Sequence, residues 1–524
     1  MEPDESDAKK PLYFRKGTSM TPEEEDEMEK AVAEVIKPPK PRAQRNASAI
    51  RQTQAETLAD LVGPDSLAKA STGECFLHEH SGRRSQWLAV GDRKSPAARY
   101  LRLKFREVTG RLPSGHALTE AMQHLQARAE IEGVIRSVHT RVARVGDEIW
   151  IDMNDAGGHV ILIHKTGWSV RRNDGPLFRR PDGMLPLPLP LEGGTIDMLK
   201  AFLNFDDEDT FKLIVGWLIG NFVGRACAHL LLLGEQGSAK TMTLKFLRLS
   251  LDPNAAMMRP IPGSHEALLI AAQNSYVLSF DNLSRLNVRM ADAMCRLATG
   301  EAFSRRKLYA DRDETLITVQ RPCIFTGILD LSERPDLLDR MVIVRLPRIA
   351  SGKRRAEAAM EREFLAARPH ILGAIYSAVS YALAHSGEFE MEEQPRLLDF
   401  AEFVEAAAPA LGWRRGDFTR ALLQSQEDEM AFDLDGSPIC LALIEMLKVA
   451  NVIHKTPSQL YVILSQFYKP HWVIVDWPRS PDAMSREFRK MLPALRREGV
   501  EVTWSRDTQR WITVRWIRDP GDMD

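Results

Sequence analysis

Residues 230–243 read LLLLGEQGSAKTMT, and the fold prediction starts from these residues. Its aliphatic run stops at Gly234, and Lys240 and Thr241 follow where a helix-compatible segment begins. A buried strand, a glycine-bounded turn and a helix N-terminus in this order suit a triphosphate, because backbone N–H groups and the helix dipole attract anionic oxygens. The stretch therefore predicts a phosphate-binding loop in an α/β fold.

The polar residues of this loop have separate predicted roles. Lys240 would neutralise the β- and γ-phosphate oxygens of ATP, and the hydroxyl of Thr241 would bind Mg²⁺. The residues predicted to surround the nucleotide are Gly234, Glu235, Gln236, Gly237, Ser238, Ala239, Lys240, Thr241 and Met242. We therefore expect the chain to bind and hydrolyse ATP with Mg²⁺. The alternative is a strand-to-helix turn that happens to contain two glycines and a lysine.

Ala239 departs from the usual pattern G-x-x-x-x-G-K-[ST], which has a glycine directly before the lysine. If the backbone has a positive φ at this position, we expect alanine to cost about 1 kcal/mol there. Such a cost is tolerable, but it would loosen the loop around the phosphates.

Two further apolar runs end in polar residues. Residues 275–280 read SYVLSF and lead into Asp281 and Asn282, and residues 321–328 read RPCIFTGI with Thr326 near the end. Because ligands collect at the carboxyl ends of parallel strands, Asp281 is predicted to bind Mg²⁺. Asn282 can orient a water molecule but cannot take its proton. The alternative for Asp281 is an N-cap on the next helix.

Arg340 closes an acidic and hydrophobic helix before another predicted strand. A guanidinium group there could reach the γ-phosphate of a neighbouring subunit, since its planar fork matches phosphate oxygens. The alternative is a simple charge near a helix C-terminus. Further on, Arg354 and Arg355 could approach phosphate from a lid-like helix, although a solvated helix face is the more ordinary interpretation of such a charged run.

A basic segment lies between the second and third predicted strands. Arg305, Arg306 and Lys307 precede a turn at residues 311–313 and a β-prone run, which predicts a hairpin with a basic arm. Adjacent cations beside an aromatic residue suit the backbone of a single nucleic-acid strand. By charge alone, however, a solvated turn is the more ordinary interpretation.

These motifs, in this order, resemble the superfamily 3 helicase group of AAA+ ATPases, in particular the poxvirus-type primase-helicases and helicase-like replication proteins of phages, plasmids and genomic islands. The matching segments are GEQGSAKT, SFDNLSRL, CRLATGEAFSRRKLYADRDE, QRPCIFTGI and RPDLLDR. The resemblance implies that Thr326 occupies the first sensor position, that Arg340 is a trans-acting arginine finger, and that Lys307 contacts DNA. Ala239, Thr326 and Glu301 depart from the family pattern. Asn282 and Glu301 are both candidates for positioning the attacking water.

Composition restricts the class of protein. The chain has 524 residues, 44% of them hydrophobic, and a formal net charge of −2, so we expect several domains and any basic surface must be local. Its five cysteines form no C-x-x-C pair, which indicates a reducing cytoplasm rather than a disulfide framework or zinc ribbon. We find no signal peptide and no apolar run near the ~20 residues of a membrane span, so we expect a cytoplasmic protein.

The predicted fold class is α/β, with an AAA+ P-loop ATPase core between other regions. The predicted domains are a disordered, charged tail at 1–70, an α/β region at 71–195 that ends in a proline-rich linker at 185–194, the ATPase domain at 196–350, a helical lid or bundle at 351–435, and a winged-helix-like domain at 436–524.

The C-terminal domain carries a second predicted DNA contact. Helical patterns at 439–449, after Thr456 and at 481–498 precede an alternating pattern around 507–508, and Pro493 is expected to kink the third helix. Three helices and a β-hairpin resemble a winged helix. The third helix would place Arg486, Arg489 and Lys490 in the major groove, while Arg506 and Arg510 of the hairpin contact phosphates. The alternative is a protein-contact module.

We therefore predict an ATP-dependent DNA helicase of a mobile element that moves along single-stranded DNA as a ring, expected to be a hexamer. The N-terminal part lacks a convincing paired-acid motif on strands, so any primer would come from a separate primase. One alternative is a nucleotide-gated origin-binding protein or scaffold that does not unwind DNA, which Ala239 and Asn282 favour. The other is an AAA+ machine acting on protein, for example in a defence system.

Overall fold

The computed structural model describes residues 52–81, 84–283, 286–306, 314–327, 334–435, 437–467, 477–506 and 509–517. Most of the predicted disordered tail lies outside the described residues. Its last part, however, is folded. Among the described residues, we find no helix with the length and apolar character that crossing a bilayer requires.

The N-terminal part of the described chain is a four-stranded sheet packed against helices. Its elements are α1 (Gln54–Asp60), β1 (Leu67–Ala70), β2 (Cys75–Ser81), β3 (Arg84–Val90), α2 (Pro96–Thr109), α3 (Gly115–Ile131) and β4 (Val134–Arg136). The strand order is β3-β2-β1-β4, and β4 pairs with β1 in parallel. Leu58 and Leu67 are buried in one core with Leu118. Residues 54–70 therefore belong to this domain, and the predicted tail boundary at residue 70 is wrong.

A second, antiparallel sheet follows. The strands are β5 (Val138–His139), β6 (Val142–Val145), β7 (Glu148–Asp152), β8 (His159–His164), β9 (Gly167–Arg172) and β10 (Leu177–Phe178). Strands β6 to β9 form a meander in sequence order, and β5 pairs with β10. Trp150 lies on β7 and Trp168 on β9.

The central sheet carries the predicted loop. Its region contains α4 (Glu208–Gly220), β11 (His229–Leu233), α5 (Lys240–Leu251), α6 (His265–Gln273), β12 (Leu278–Leu283), α7 (Val288–Thr299), β13 (Ala302–Arg306), β14 (Glu314–Thr318), β15 (Cys323–Gly327), α8 (Pro335–Leu338) and β16 (Met341–Arg345). The sheet has the order β12-β15-β11-β16, and all its pairings are parallel. Leu230 and Leu231 are buried in different cores on its two faces, which explains the continuous aliphatic run.

Helices α9 (Glu357–His385), α10 (Leu398–Ala407) and α11 (Asp417–Asp435) form the predicted helical segment. Helix α9 shares one core with the central sheet and with Ile149 and Ile161 of the antiparallel sheet. The predicted linker at 185–194 runs along α9, where the N–H of Leu191 donates to the carbonyl of Pro369 at 2.9 Å. The predicted domain boundary at residue 195 thus falls inside a shared core.

The C-terminal domain comprises α12 (Pro438–Ala450), β17 (Val452–Lys455), α13 (Pro457–Phe467), α14 (Pro481–Lys490), α15 (Leu492–Arg497), β18 (Val500–Arg506) and β19 (Arg510–Trp516). The third predicted helix is broken at Met491, two residues before Pro493. The predicted hairpin is confirmed as β18–β19, and β17 joins it as an additional strand in the order β17-β19-β18. Phe488, Leu460 and Val514 meet in its core.

Candidate functional site

The turn between β11 and α5 folds around the ammonium group of Lys240. Its Nζ donates to the carbonyl oxygens of Gly234 at 2.6 Å and Glu235 at 2.8 Å. Gly234 and Gly237 have φ angles of 147° and 87°, which L side chains rarely adopt. The glycines therefore permit the turn, and the turn holds a positive charge where the sequence predicts phosphate oxygens to bind.

Ala239 adopts the left-handed conformation, with φ 64° and ψ 25°. It is the N-cap residue of α5, and its methyl group is half-buried against the core of the central sheet. The backbone at this position therefore has the positive φ at which alanine is expected to strain the loop. The expected strain is about 1 kcal/mol or somewhat more.

The loop is held from outside by residues that the sequence did not reveal. The side-chain amide of Asn204 donates to the carbonyl of Ser238 at 3.0 Å and to that of Pro347 at 2.6 Å. The N–H of Ile349 donates to the carbonyl of Gly237 at 3.2 Å. Asn204 and the segment that leaves β16 thus hold the backbone of the loop in this shape.

Two arginines lie beside the loop. A Cβ added to Gly237 would stand 2.9 Å from Nη2 of Arg354, so this guanidinium group lies against the loop backbone. Arg348 Nη1 lies 3.8 Å from Glu235 Oε2. Arg355, by contrast, pairs with Glu363. Of the two arginines considered in the sequence, only Arg354 lies at the loop.

Asp281 and Thr326 interact directly. The Thr326 hydroxyl donates to Oδ1 of Asp281 and accepts the backbone N–H of Asn282 at 3.1 Å. Asn282 has a φ of 58°, and the β12 register shifts at this point. Thr326 is 1% exposed, so its hydroxyl positions the Asp281 carboxylate. Contact between Thr326 and a γ-phosphate stays a prediction.

The sheet places Lys240, Asp281 and Thr326 at one edge. Strand β15 lies between β11 and β12, with Thr326 opposite Leu232 and Phe325 opposite Phe280. Because neighbouring strands are ~4.8 Å apart, Asp281 stands about 10 Å across the sheet from the end of β11. The predicted Mg²⁺ ligands, the exposed Thr241 hydroxyl and the half-buried Asp281 carboxylate, offer the oxygen donors that this ion prefers.

Glu301 lies at the opposite edge of the sheet. It follows α7, and the carbonyl of Ala298 near the end of that helix accepts the N–H of Cys227, just before β11 begins. A strand of five residues is about 16 Å long, so Glu301 cannot reach a nucleotide in the same subunit's loop. Its suggested role in positioning water is wrong for that site, which leaves Asn282.

Arg340 also lies at the amino edge, where its carbonyl accepts the N–H of His229 at 2.9 Å. Its side chain is 9% exposed, and Nη1 donates to the carbonyl of Asp336. The group is therefore too far from its own loop, and it would have to turn outward to reach a neighbour's nucleotide. Its role as an arginine finger stays a prediction.

The two strands at the base of the predicted basic hairpin are confirmed. Strands β13 and β14 pair antiparallel from Ala302 opposite Thr318 to Arg306 opposite Glu314. Arg305 and Arg306 lie on β13, whereas Lys307 and the turn lie outside the described residues. The hairpin begins at the amino edge of the sheet, because it follows α7 directly.

The predicted DNA-binding residues of the C-terminal domain lie on two elements. Arg486 and Arg489 are exposed on α14, and Lys490 is its last residue. Arg506 and Arg510 are opposite one another beside the turn of the hairpin. Among the described residues, no group of three or more His, Cys, Asp and Glu side chains could hold a metal ion by itself.

Two family models match this chain. Residues 196–429 match that of the actinomycete integrative conjugative element replication protein, AICE RepA, and residues 439–520 match the AICE RepA C-terminal domain. The two matches together cover more than half of the 524 residues. Between them lie residues 430–438, which include the end of α11 and the first residue of α12.

Solved structures of low similarity include two of the NrS-1 C-terminal region. An A-form apo structure is 10% identical, covers 85% of this chain and 94% of that chain, and has a TM-score of 0.38. A second apo structure is 12% identical, covers 89% of this chain and 100% of that chain, and has a TM-score of 0.36. No curated protein matches the chain.

Proposed function

We propose that this chain, which belongs to the family of replication proteins of actinomycete integrative conjugative elements, is an ATP-dependent DNA helicase acting in the replication of such an element. One observation carries the proposal. Lys240 is held inside a glycine-bounded loop, at the same edge of a parallel sheet as the paired Asp281 and Thr326. Such an edge is where ligands bind in α/β sheets.

In the proposed site, Lys240 exchanges the carbonyls of Gly234 and Glu235 for phosphate oxygens. Thr241 and Asp281 would hold Mg²⁺, which would supply positive charge to the phosphates. Thr326 keeps the Asp281 carboxylate in one orientation through its hydroxyl. The Asn282 amide orients water without accepting its proton. Catalysis would therefore rest mainly on stabilising charge.

Arg354 adds to this charge from within the same subunit. Its guanidinium lies against Gly237 and would face the phosphates that the loop encloses. Because a guanidinium fork donates to two phosphate oxygens at once, it can follow the charge that develops on the γ-phosphate. We place Arg354 with Lys240 in the proposed catalytic group.

We propose an AAA+ ring, with a hexamer as the expected form. Arg340 is at the edge opposite its own loop, so it would act on a nucleotide at a neighbour's carboxyl edge rather than on its own. Arg305, Arg306 and Lys307 would contact single-stranded DNA, and a winged-helix C-terminal domain would contact duplex DNA. A separate primase would supply primers.

A second candidate is a nucleotide-gated origin-binding protein or scaffold without unwinding activity. Two observations favour it. Ala239 strains the loop in a left-handed conformation, and Asn282 stands where an acid would polarise water. Both changes slow turnover while leaving the charged ligands for nucleotide in place.

Steady-state ATP hydrolysis with and without single-stranded DNA, together with strand displacement on forked DNA, separates these functions. We expect the intact chain to hydrolyse ATP and unwind DNA. Lys240→Ala should do neither, whereas Lys448→Ala, a matched loss of charge on the distant α12, should behave as the intact chain does. Nucleotide binding without turnover would favour the scaffold, and hydrolysis by Lys240→Ala would refute the loop's role. If Lys307→Ala leaves DNA-stimulated hydrolysis unchanged, the predicted DNA contact is wrong and a machine acting on protein gains support.

A further inference from the structure

A cavity of about 570 Å³ lies between α14 and the β18–β19 hairpin. Its wall includes, from the helix, Asp482, Ser485, Arg486 and Arg489 and, from the hairpin, Trp504 and Arg510. The hairpin face that carries Trp504 also carries the buried Val502 and Val514, so this face is turned towards the helices. The cavity is thus a built feature of the domain.

The cavity has an excess of positive charge. Three guanidinium groups line it against the single carboxylate of Asp482, and we find no ion-pair partner for any of the three among the described residues. Arg515 of the same hairpin, in contrast, pairs with Glu501 at 2.5 Å. The guanidinium carbon of Arg489 lies 5.1 Å from the centre of the Trp504 ring, which holds this side chain over the cavity wall.

Two buried donors in this wall are without a partner in the part of the chain that is described. They are the hydroxyl of Ser485, a residue that is 9% exposed, and the indole Nε1–H of Trp504. Buried donors in folded proteins nearly always have an acceptor. Because an indole N–H can only donate, the missing group at Trp504 must accept. A ligand with several anionic oxygens would satisfy both donors and the three arginines.

We propose that this cavity binds a phosphodiester group of a DNA strand. The inference rests on the proposed function in taking DNA as the partner, but it does not depend on ATP hydrolysis. Arg486 and Arg489 then bind the backbone, where guanidinium forks match phosphate oxygens. This differs from the role that the sequence predicts for them, in which they read base edges in the major groove.

The test measures DNA binding by the full chain in the absence of nucleotide. Fluorescence anisotropy gives the affinity for two labelled duplexes of unrelated sequence over a range of salt concentrations. Arg489→Ala and Arg510→Ala should each weaken binding to both duplexes alike, by roughly tenfold or more. Each should also lower the slope of log affinity against log salt by about 1. Arg496→Ala, exposed on α15 outside the cavity wall, should leave that slope unchanged.

Trp504→Phe is the sharper variant, because it keeps an aromatic ring beneath Arg489 and removes the N–H together with the five-membered ring that carries it. It should weaken binding severalfold without changing the salt slope, and thermal unfolding verifies that it folds. A loss confined to one duplex would indicate base reading and overturn the proposal. So would an equal effect of Arg496→Ala, or displacement of DNA by micromolar inorganic pyrophosphate, which would indicate a free phosphate ligand. Since no nucleotide is present, failure here is distinct from failure of the ATP hydrolysis experiment.

Discussion

Replacing Ala239 by glycine should stabilise the protein. The residue has a φ of 64°, and a left-handed conformation costs an L-residue about 1–2 kcal/mol. Two effects oppose this gain. Glycine gives the unfolded chain more freedom, worth about 0.4–1 kcal/mol, and the half-buried methyl group is lost, worth about 0.4 kcal/mol if half of a buried CH₂ is counted.

Ala356 provides the matched control. It is the N-cap of α9, it also lacks a side-chain cap, and its φ is −66°. Both substitutions change the cap and the unfolded chain in the same way, so their difference isolates the left-handed strain at Ala239 and the lost methyl contact. We expect Ala239→Gly to exceed Ala356→Gly by about 1 kcal/mol in free energy of unfolding.

The assay is equilibrium unfolding in urea, with the two variants and the parent chain measured side by side. Tryptophan fluorescence follows the transition, and Trp217 contributes from the core beside the loop, because it is fully buried in α4 and its Nε1 donates to the carbonyl of Ala228, next to β11. Equal free energies for the two glycine variants would mean that the loop stores no strain at Ala239, and the physical account of its departure from the usual pattern would fail.

Thr326, Arg354 and His229 each give one further prediction. Thr326→Val removes the hydroxyl that orients Asp281 and should weaken Mg²⁺-dependent activity about 10–100-fold in a metal titration, with less effect on nucleotide binding; equal metal dependence in both proteins would contradict this. Arg354→Ala should lower kcat of ATP hydrolysis by at least about tenfold, whereas Arg355→Ala should not; equal losses would argue against a loop-specific role. Burial lowers the pKa of His229 from 6.5 to about 4, so the unfolded chain binds more protons below pH 6.5. Stability should then fall by up to about 3 kcal/mol between pH 6.5 and 4, and His229→Asn should reduce this dependence in urea unfolding.

The strands and the loop were predictable because each has a local signal. The aliphatic run before Gly234 is buried on both faces, and Asp281 and Thr326 end runs of the same kind. Strand order carries no such signal. Only the structure shows that β15 enters between β11 and β12, so that Thr326 comes to hold Asp281.

Contacts between distant parts of the chain were not predictable either. Asn204 precedes the loop by more than 30 residues and has no motif around it, yet its amide fixes the loop backbone. Glu301 is adjacent in sequence to motif residues, but α7 carries the chain across the whole sheet before reaching it. The sequence neighbourhood of Glu301 therefore suggested a place in the site, whereas α7 carries the chain to the opposite edge of the sheet before Glu301 is reached.

The residues at the two edges of the sheet are arranged as the proposed ring requires. The loop before Lys240, Asp281 and Arg354 are at or beside the carboxyl edge, whereas Arg340 and the base of the β13–β14 hairpin are at the amino edge. The strands between them are about 16 Å long, so no side chain can serve both edges within one subunit. If a neighbour's nucleotide meets Arg340, the same contact lies on the edge that carries the basic hairpin. Hydrolysis in one subunit would then change the position of the hairpin in the next subunit. Movement along a DNA strand requires such coupling.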